Sequence, residues 1–449
     1  MTENKINKVA VFMAAVVAGT LLLSFIPGFS LEGIELKKVD VLADIHKRNN
    51  IAGADTVPCI PKPVNADTCQ AGMICFDDYS AGHNALTHFY DAFSENRPVR
   101  IAYFGDSFIE GDILTGSLRY LFQGKYGGNG VGFIPINWTA AGFRTTVTTS
   151  VEGWDEHCLT DSIFDRKKQG ISGYYFVPQT NAAATYSSRT ASRTGTDTCS
   201  EVSFYFITDG NLKFTTVINR QTTEQHTVEG SADIQKVSVQ GHIGQIKIIV
   251  DNSGRNTRFF GIAMDDRDKG IIVDNYSLRG ISGETLESIP EKTLGDFNKL
   301  RSYDLVILQY GLNVAVKMGN NYGYYKKSMA RVIKYLRKNM PDCDFLLISV
   351  GDRAAKIDGE MTTMPGVKNL SATQQAIAYE CGIAFWNLID VMKLDGGIVG
   401  YVNSKPAKAN LDYTHINVHG GDLIAKHLFE TIEYGKEKYL EKKNASKSK

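Results

Sequence analysis

The sequence predicts an α/β protein: a parallel sheet covered by helices, with an antiparallel β domain inserted into it. Two patterns carry that expectation. Apolar, β-branched runs at 99–104, 271–278, 303–310, 345–350 and 383–388 alternate with helix-period stretches, as strands buried on both faces do. Between 143 and 274 the rhythm changes to short alternating runs broken by polar and Gly-bearing turns, the signature of a β-sandwich. A chain of 449 residues has room for both.

At the N-terminus, Lys5 and Lys8 precede an uncharged apolar run over 9–29. Its length approaches the ~20 residues that span a bilayer. Residues 1–30 therefore read as a transmembrane anchor, in preference to a cleaved signal peptide. The positive flank places the remainder outside the cytoplasm, in the periplasm or secreted. Residues 31–83, with Pro58, Pro61 and Pro63 and no sustained period, read as a stalk. Residues 84–142 and 275–440 form the α/β domain and 143–274 the insertion. Helices are expected at 83–93, after residue 107 up to the glycine cluster at 124–130, and at 324–339, 371–380 and 419–434. The Lys-rich end, 436–449, reads as a solvated helix terminus.

Forty-nine basic and forty-nine acidic residues balance, so no footprint for nucleic acid and no polybasic membrane patch is present. Seven cysteines suit an oxidising compartment, and the odd number leaves at least one unpaired within the chain. Cys59, Cys69 and Cys75 lack zinc-ligand spacing. Cys343 and Cys381 each precede a strand, and would lie at one sheet edge, within bridging reach, if those strands are neighbours. Reduced structural thiols are the alternative for all seven.

The chemistry gathers where strands end. In Gly105-Asp-Ser107 the serine sits at a strand's carboxyl end, near the expected first turn of a helix, where open α/β sheets bind ligands. A serine hydroxyl is a weak nucleophile and needs a base. Asp412-Tyr-Thr-His415 supplies an imidazole and a carboxylate from one loop. Oxyanion donors are expected from the Ser107 N–H, the Gly283 N–H and the Asn313 side chain. The plainer readings make Ser107 a helix cap, and Gly283 and Asn313 turn residues with Gly280 as competitor. Asp106 reads as structural and His419 as a helix cap. No metal site is expected, since no H-E-x-x-H motif accompanies His415 and His419. Gly-x-Ser-x-Gly is absent. Asp265-Asp-Arg-Asp268 reads as a solvated turn in preference to a calcium site. Trp154, Tyr174, Tyr175 and Tyr186 read as β-domain core or rim before sugar platforms.

In order, Gly-Asp-Ser107, Ile-Ser-Gly283-Glu, Gly311-x-Asn313 and Asp412-x-x-His415 resemble the four blocks of the SGNH (GDSL-type) hydrolase family. The resemblance covers about 85–142 and 275–435. It implies a flavodoxin-like sheet in the order 2-1-3-4-5, with the ligand site at the switch between the strands carrying Ser107 and Asn313. Phe108 and Val314 depart from the family's usual neighbours without removing a catalytic group. The long insertion is similar to that of peptidoglycan O-acetylesterases, where a carbohydrate-binding-module-like sandwich sits at this point. The resemblance implies a cofactor-free, exported serine esterase acting on O-acetyl esters of a glycan. Two alternatives use the same residues: a polysaccharide O-acetyltransferase, and a non-catalytic glycan-binding protein.

Overall fold

The computed structural model describes residues 29–31, 34–36, 69–189 and 198–447. The chain divides into two compact units, 1–56 and 57–449. The first shows a two-stranded antiparallel hairpin, β1 (Phe29–Leu31) with β2 (Ile34–Leu36). The rest of the expected anchor and the stalk up to residue 68 lie outside the described residues. Among those that are described, no helix is long and apolar enough to cross a membrane.

The second unit begins with β3 (Asp77–Asp78), α1 (Thr87–Ala92), β4 (Val99–Gly105), α2 (Thr115–Tyr126) and β5 (Gly132–Ile134). An all-β stretch follows: β6 (Val147–Cys158), β7 (Tyr174–Ser188), β8 (Cys199–Thr208), β9 (Leu212–Ile218), β10 (Thr222–Val228), β11 (Ser231–Ile243), β12 (Gln245–Asn252) and β13 (Arg258–Asp265). The α/β rhythm then resumes with β14 (Ile271–Ser277), α3 (Glu291–Arg301), β15 (Leu305–Gln309), α4 (Gly323–Asn339) and β16 (Asp344–Ile348). A hairpin of β17 (Ala354–Ile357) and β18 (Glu360–Thr363) precedes α5 (Pro365–Cys381), β19 (Ala384–Trp386), α6 (Leu388–Leu394), α7 (Gly397–Asn403) and α8 (Val418–Lys447).

One sheet runs β14-β4-β15-β16-β19-β3. Its first five strands are parallel, in the 2-1-3-4-5 order, and β3 joins antiparallel to β19. All five residues of β15 are buried, as a strand with helices on both faces requires. Helix α8 buries Ile424, Ala425, Leu428 and Ile432 along one stripe, and its Phe429 meets Phe122 of α2 edge-on at 5.1 Å. Gln374 of α5 clamps two neighbouring strand ends. It donates to the Tyr310 carbonyl at 2.8 Å and accepts from the Val350 N–H at 2.7 Å.

The second sheet is antiparallel throughout: β10-β9-β12-β7-β13-β8-β11, with β5 on β13 and β6 on β7. β6 carries a bulge at Gly153, whose φ is +74°, and the long β6–β7 ribbon serves both halves of the sheet. Phe214 of β9 lies 5.8–6.3 Å, centroid to centroid, from Phe204, Phe206 and Phe259 of the other half. The expected sandwich is thus one hydrogen-bonded sheet folded over on itself. It also starts before residue 143, because β5 pairs with β13.

Two buried ion clusters join this sheet to the α/β part. Arg301 at the end of α3 donates to Asp274 of β14 at 2.7 and 3.0 Å and also to Asp265 of β13, which accepts from Arg100 at 3.1 Å. Asp265 is therefore a buried ionic partner, which corrects the expectation for that residue, while Arg267 and Asp268 are exposed as a solvated turn requires. Asp112, fully buried, accepts from Arg119 at 3.1 Å, Arg144 at 2.8 Å and Thr146 at 2.6 Å. Burial raises its pKa, but the two guanidinium groups outweigh burial and hold it well below the usual range.

Cysteine pairing departs from expectation. Cys69 and Cys75 form a disulfide, whereas Cys158, Cys199, Cys343 and Cys381 are free and buried. The Cys343 thiol reaches the Tyr303 carbonyl at 3.0 Å and that of Cys381 faces the Ala330 carbonyl at 4.0 Å. They turn to different neighbours, so the expected bridge does not form. His419 is not the cap of the last helix either: Asn417 accepts from the His419 and Gly420 N–H groups at 3.0 and 3.3 Å.

Replacing Arg301 with alanine strands Asp274 and Asp265 without their shared cation. Removing one partner of a buried pair typically costs about 3–5 kcal/mol. Arg301→Ala is expected to lower the urea midpoint accordingly, with the slope unchanged; a loss under ~1 kcal/mol would contradict this account of the cluster.

Candidate active site

Registry of the parallel strands sets the site. Ser277, Gly105 and Gln309 lie side by side at the carboxyl ends of β14, β4 and β15, so the loops that follow leave the sheet at one level. Gly105 is there because a Cβ would lie 2.8 Å from the Ile109 side chain and 3.0 Å from the Gln309 carbonyl. The chain then turns sharply. The Phe108 N–H donates to the Asp106 carboxylate at 3.0 Å and the Ile109 N–H to the Asp106 carbonyl at 3.3 Å. A short 3-10 turn, Glu110–Asp112, follows, and α2 starts only at Thr115. The helix terminus expected beside Ser107 is therefore absent; the tight turn presents the serine instead.

Ser107 Oγ lies 3.1 Å from His415 Nε2, and His415 Nδ1 lies 2.7 Å from Asp412 Oδ2. The Asp412–His415 turn is closed by Asp412 Oδ1, which accepts the Thr414 and His415 N–H groups, each at 3.0 Å. Neighbouring chain fixes the turn further: the Asn410 N–H donates to the His415 carbonyl at 2.9 Å and the Ala354 N–H to the Tyr413 carbonyl at 3.0 Å. Burial raises the pKa of Asp412, but hydrogen bonds from the His415 ring and the His415 and Thr414 amides hold it below the ordinary carboxylate value. An ionised Asp412 favours the tautomer with the proton on Nδ1, leaving the Nε2 lone pair toward Ser107. The His415 and Asp412 side chains are 40% and 47% exposed, so the site is open to solvent.

Gly283 and Asn313 occupy adjoining loops, tied together because Asn313 Nδ2 donates to the Ile281 carbonyl at 2.8 Å. That bond uses one of two amide hydrogens and leaves the other available. Gly283 has φ +90°, and a Cβ there would sit 2.7 Å from the Tyr310 ring, so conformation and space both demand glycine. Gly280 also has positive φ but stands in open space. Asp106 is buried directly behind Ser107. Burial pushes its carboxyl up to about 6, against the lowering effect of the Phe108, Leu312 and Gly311 amides and of His415.

Sequence reasoning missed two groups at the rim. Glu110, in the loop after Ser107, is paired with Arg279, in the loop after β14, at 2.5 Å. Arg353, in the loop after β16, has its Nη1 3.5 Å from the Leu312 carbonyl. Glu110 and Arg279 share their loops with Ser107 and Gly283, and the loop of Arg353 likewise leaves a strand's carboxyl end. The aromatic residues weighed as sugar platforms are structural: Tyr174, Tyr175 and Tyr186 are buried, and Trp154 donates to the Ala183 carbonyl at 3.1 Å.

No protein-family model matches the sequence, and no curated protein matches it. Solved structures do. A peptidoglycan O-acetylesterase structure superposes with a TM-score of 0.66 at 17% identity, covering 81% of this chain and 99% of that one. A GDSL-like lipase from Parabacteroides merdae, 16% identical, covers 36% of this chain and 72% of its own with a TM-score of 0.28. An acetyl xylan esterase, also 16% identical, covers 36% and 81% with a TM-score of 0.26. The chain shares the first structure's fold over nearly all of that protein.

The raised pKa of Asp106 has a thermodynamic consequence. With a folded value of about 6 above the unfolded value, its ionisation opposes folding. That penalty is absent below about pH 4 and complete above about pH 6–7. Asp106→Asn removes the charge. Its stability relative to wild type is expected to grow by about 1–3 kcal/mol between pH 4 and pH 7 in denaturant titrations, and a pH-independent difference would contradict the assignment.

Proposed function

We propose, from the SGNH-type fold and the Ser107–His415–Asp412 alignment, that the protein is an exported serine esterase hydrolysing O-acetyl esters on a glycan. One observation carries the reading: a serine hydroxyl 3.1 Å from an imidazole whose other nitrogen is held by a carboxylate at 2.7 Å. Ser107 Oγ attacks the acetyl carbonyl while His415 Nε2 takes its proton, and Asp412 stabilises the imidazolium. The Ser107 and Gly283 N–H groups and the Asn313 amide receive the developing oxyanion. His415 returns the proton to the sugar oxygen as the C–O bond breaks, leaving acetyl on Ser107. A water, deprotonated by His415, then releases acetate.

The substrate class has two supports. The fold is shared with a peptidoglycan O-acetylesterase over 81% of this chain and 99% of that one. The open triad admits a polymer, as a deep pocket would not. Export and anchoring rest on Lys5, Lys8 and the apolar run over 9–29. O-acetylated peptidoglycan or another envelope polysaccharide is the substrate this reading favours.

Ser107→Ala is expected to abolish acetate release from acetylated glycan and 4-nitrophenyl acetate, with an unchanged circular dichroism spectrum. A fluorophosphonate probe is expected to label wild type at Ser107. Asn313→Ala is expected to lower kcat about 100- to 1,000-fold. Esterase activity surviving in Ser107→Ala would overturn the proposal.

A further inference from the structure

We propose that Arg353 forms an anion subsite at the rim of the candidate active site, receiving a carboxylate carried by the acetylated glycan. The inference rests on the esterase reading and names the charge class of its substrate.

The segment 351–354 touches all three elements of the site. A Cβ at Gly351 would lie 2.5 Å from the ring of Phe108, the residue after Ser107. The Ala354 N–H donates to the Tyr413 carbonyl at 3.0 Å, inside the Asp412–His415 turn. Between them Arg353 reaches the Leu312 carbonyl, next to Asn313, at 3.5 Å. That single long bond occupies little of a guanidinium with five N–H donors. Arg353 is half-buried, so part of its surface faces solvent.

No acidic side chain is ion-paired with Arg353 among the described residues, and carboxylates of the surrounding loops have other partners. Glu110 is paired with Arg279 at 2.5 Å and Asp412 with His415. Asp352, the adjacent residue, is buried and accepts from the Ile398 N–H at 2.9 Å and Thr363 Oγ1 at 3.1 Å. Asp358 and Glu360 lie at the exposed tip of the β17–β18 hairpin. Lys317, four residues beyond Asn313, donates to the Lys356 carbonyl at 2.6 Å and so ties the Asn313 loop to the strand that follows Arg353. A planar guanidinium with free donors suits a carboxylate held bidentately.

The test compares two O-acetylated oligosaccharides on the full chain, one bearing a uronate or lactyl carboxylate and one neutral. The ratio of kcat/KM, carboxylated over neutral, is expected to fall about 10- to 100-fold in Arg353→Gln, chiefly through KM, with partial recovery in Arg353→Lys. The wild-type ratio is expected to shrink as salt is raised. The deacetylated carboxylated oligosaccharide, titrated directly, is expected to bind Arg353→Gln at least about tenfold more weakly than wild type. An equal loss on both substrates would make Arg353 a buttress of the Leu312–Asn313 loop and overturn the subsite, as would a wild-type ratio near one. Arg353-dependent binding without hydrolysis would instead overturn the esterase reading and sustain the subsite.

Discussion

A hydrogen bond across 308 residues of sequence, from Ser107 Oγ to His415 Nε2, is the interaction on which the site depends. No local propensity makes it. It exists because parallel strands bring β14, β4 and β15 to one carboxyl edge, with Ser277, Gly105 and Gln309 in line. The chain then returns after β19 to deliver the Asp412–His415 turn. That turn is fastened on two sides, by the Ala354 N–H at the start of β17 and by the antiparallel bridge between Ala409 and Ile416. Helix α8, capped by Asn417, follows at once and is packed along its apolar stripe. A site assembled from such distant segments keeps its geometry only while the whole sheet is intact.

The inserted antiparallel sheet is built into that frame. Asp265 comes from β13 and Asp274 from β14, and both meet Arg301 of α3. Asp112 lies a few residues after Ser107 and accepts from Arg144 and Thr146, at the entry to β6. Buried ions of this kind are costly to separate, because each carboxylate would lose the cation that offsets its removal from water. The two sheets are therefore joined by charge as well as by apolar packing, close behind the candidate nucleophile.

Much of this was legible in the sequence because its physical signals are strong. The runs that became β4, β15 and β16 are almost wholly apolar, and loops at the ends of such strands carry polar residues only where something uses them. Hence Ser107, Gly283, Asn313, Asp412 and His415 stood out. Weak or long-range signals did not. β3 is two aspartates, with no strand propensity, paired only through an edge. β17 and β18 are too short and polar for a period of two to register. The turn after Ser107 contains Gly111 and Asp112 at positive φ, which interrupts a stretch whose apolar spacing read as continuous helix. Cys343 and Cys381 do precede neighbouring strands, but side-chain direction, invisible in spacing, sends them to different partners. Arg353 escaped notice because a lone arginine after a strand has no motif; only its position among three loops gives it meaning.

The central claim is that the hydroxyl, imidazole and carboxylate act as one chemical unit. Rapid acid quenching during turnover of an acetyl ester, followed by peptide mass spectrometry, reads this directly. The account predicts a transient acetyl group on Ser107 that no longer forms when His415 is replaced by a residue unable to take the serine proton. Turnover with no acetyl group at Ser107, or with the adduct on another residue, would contradict it.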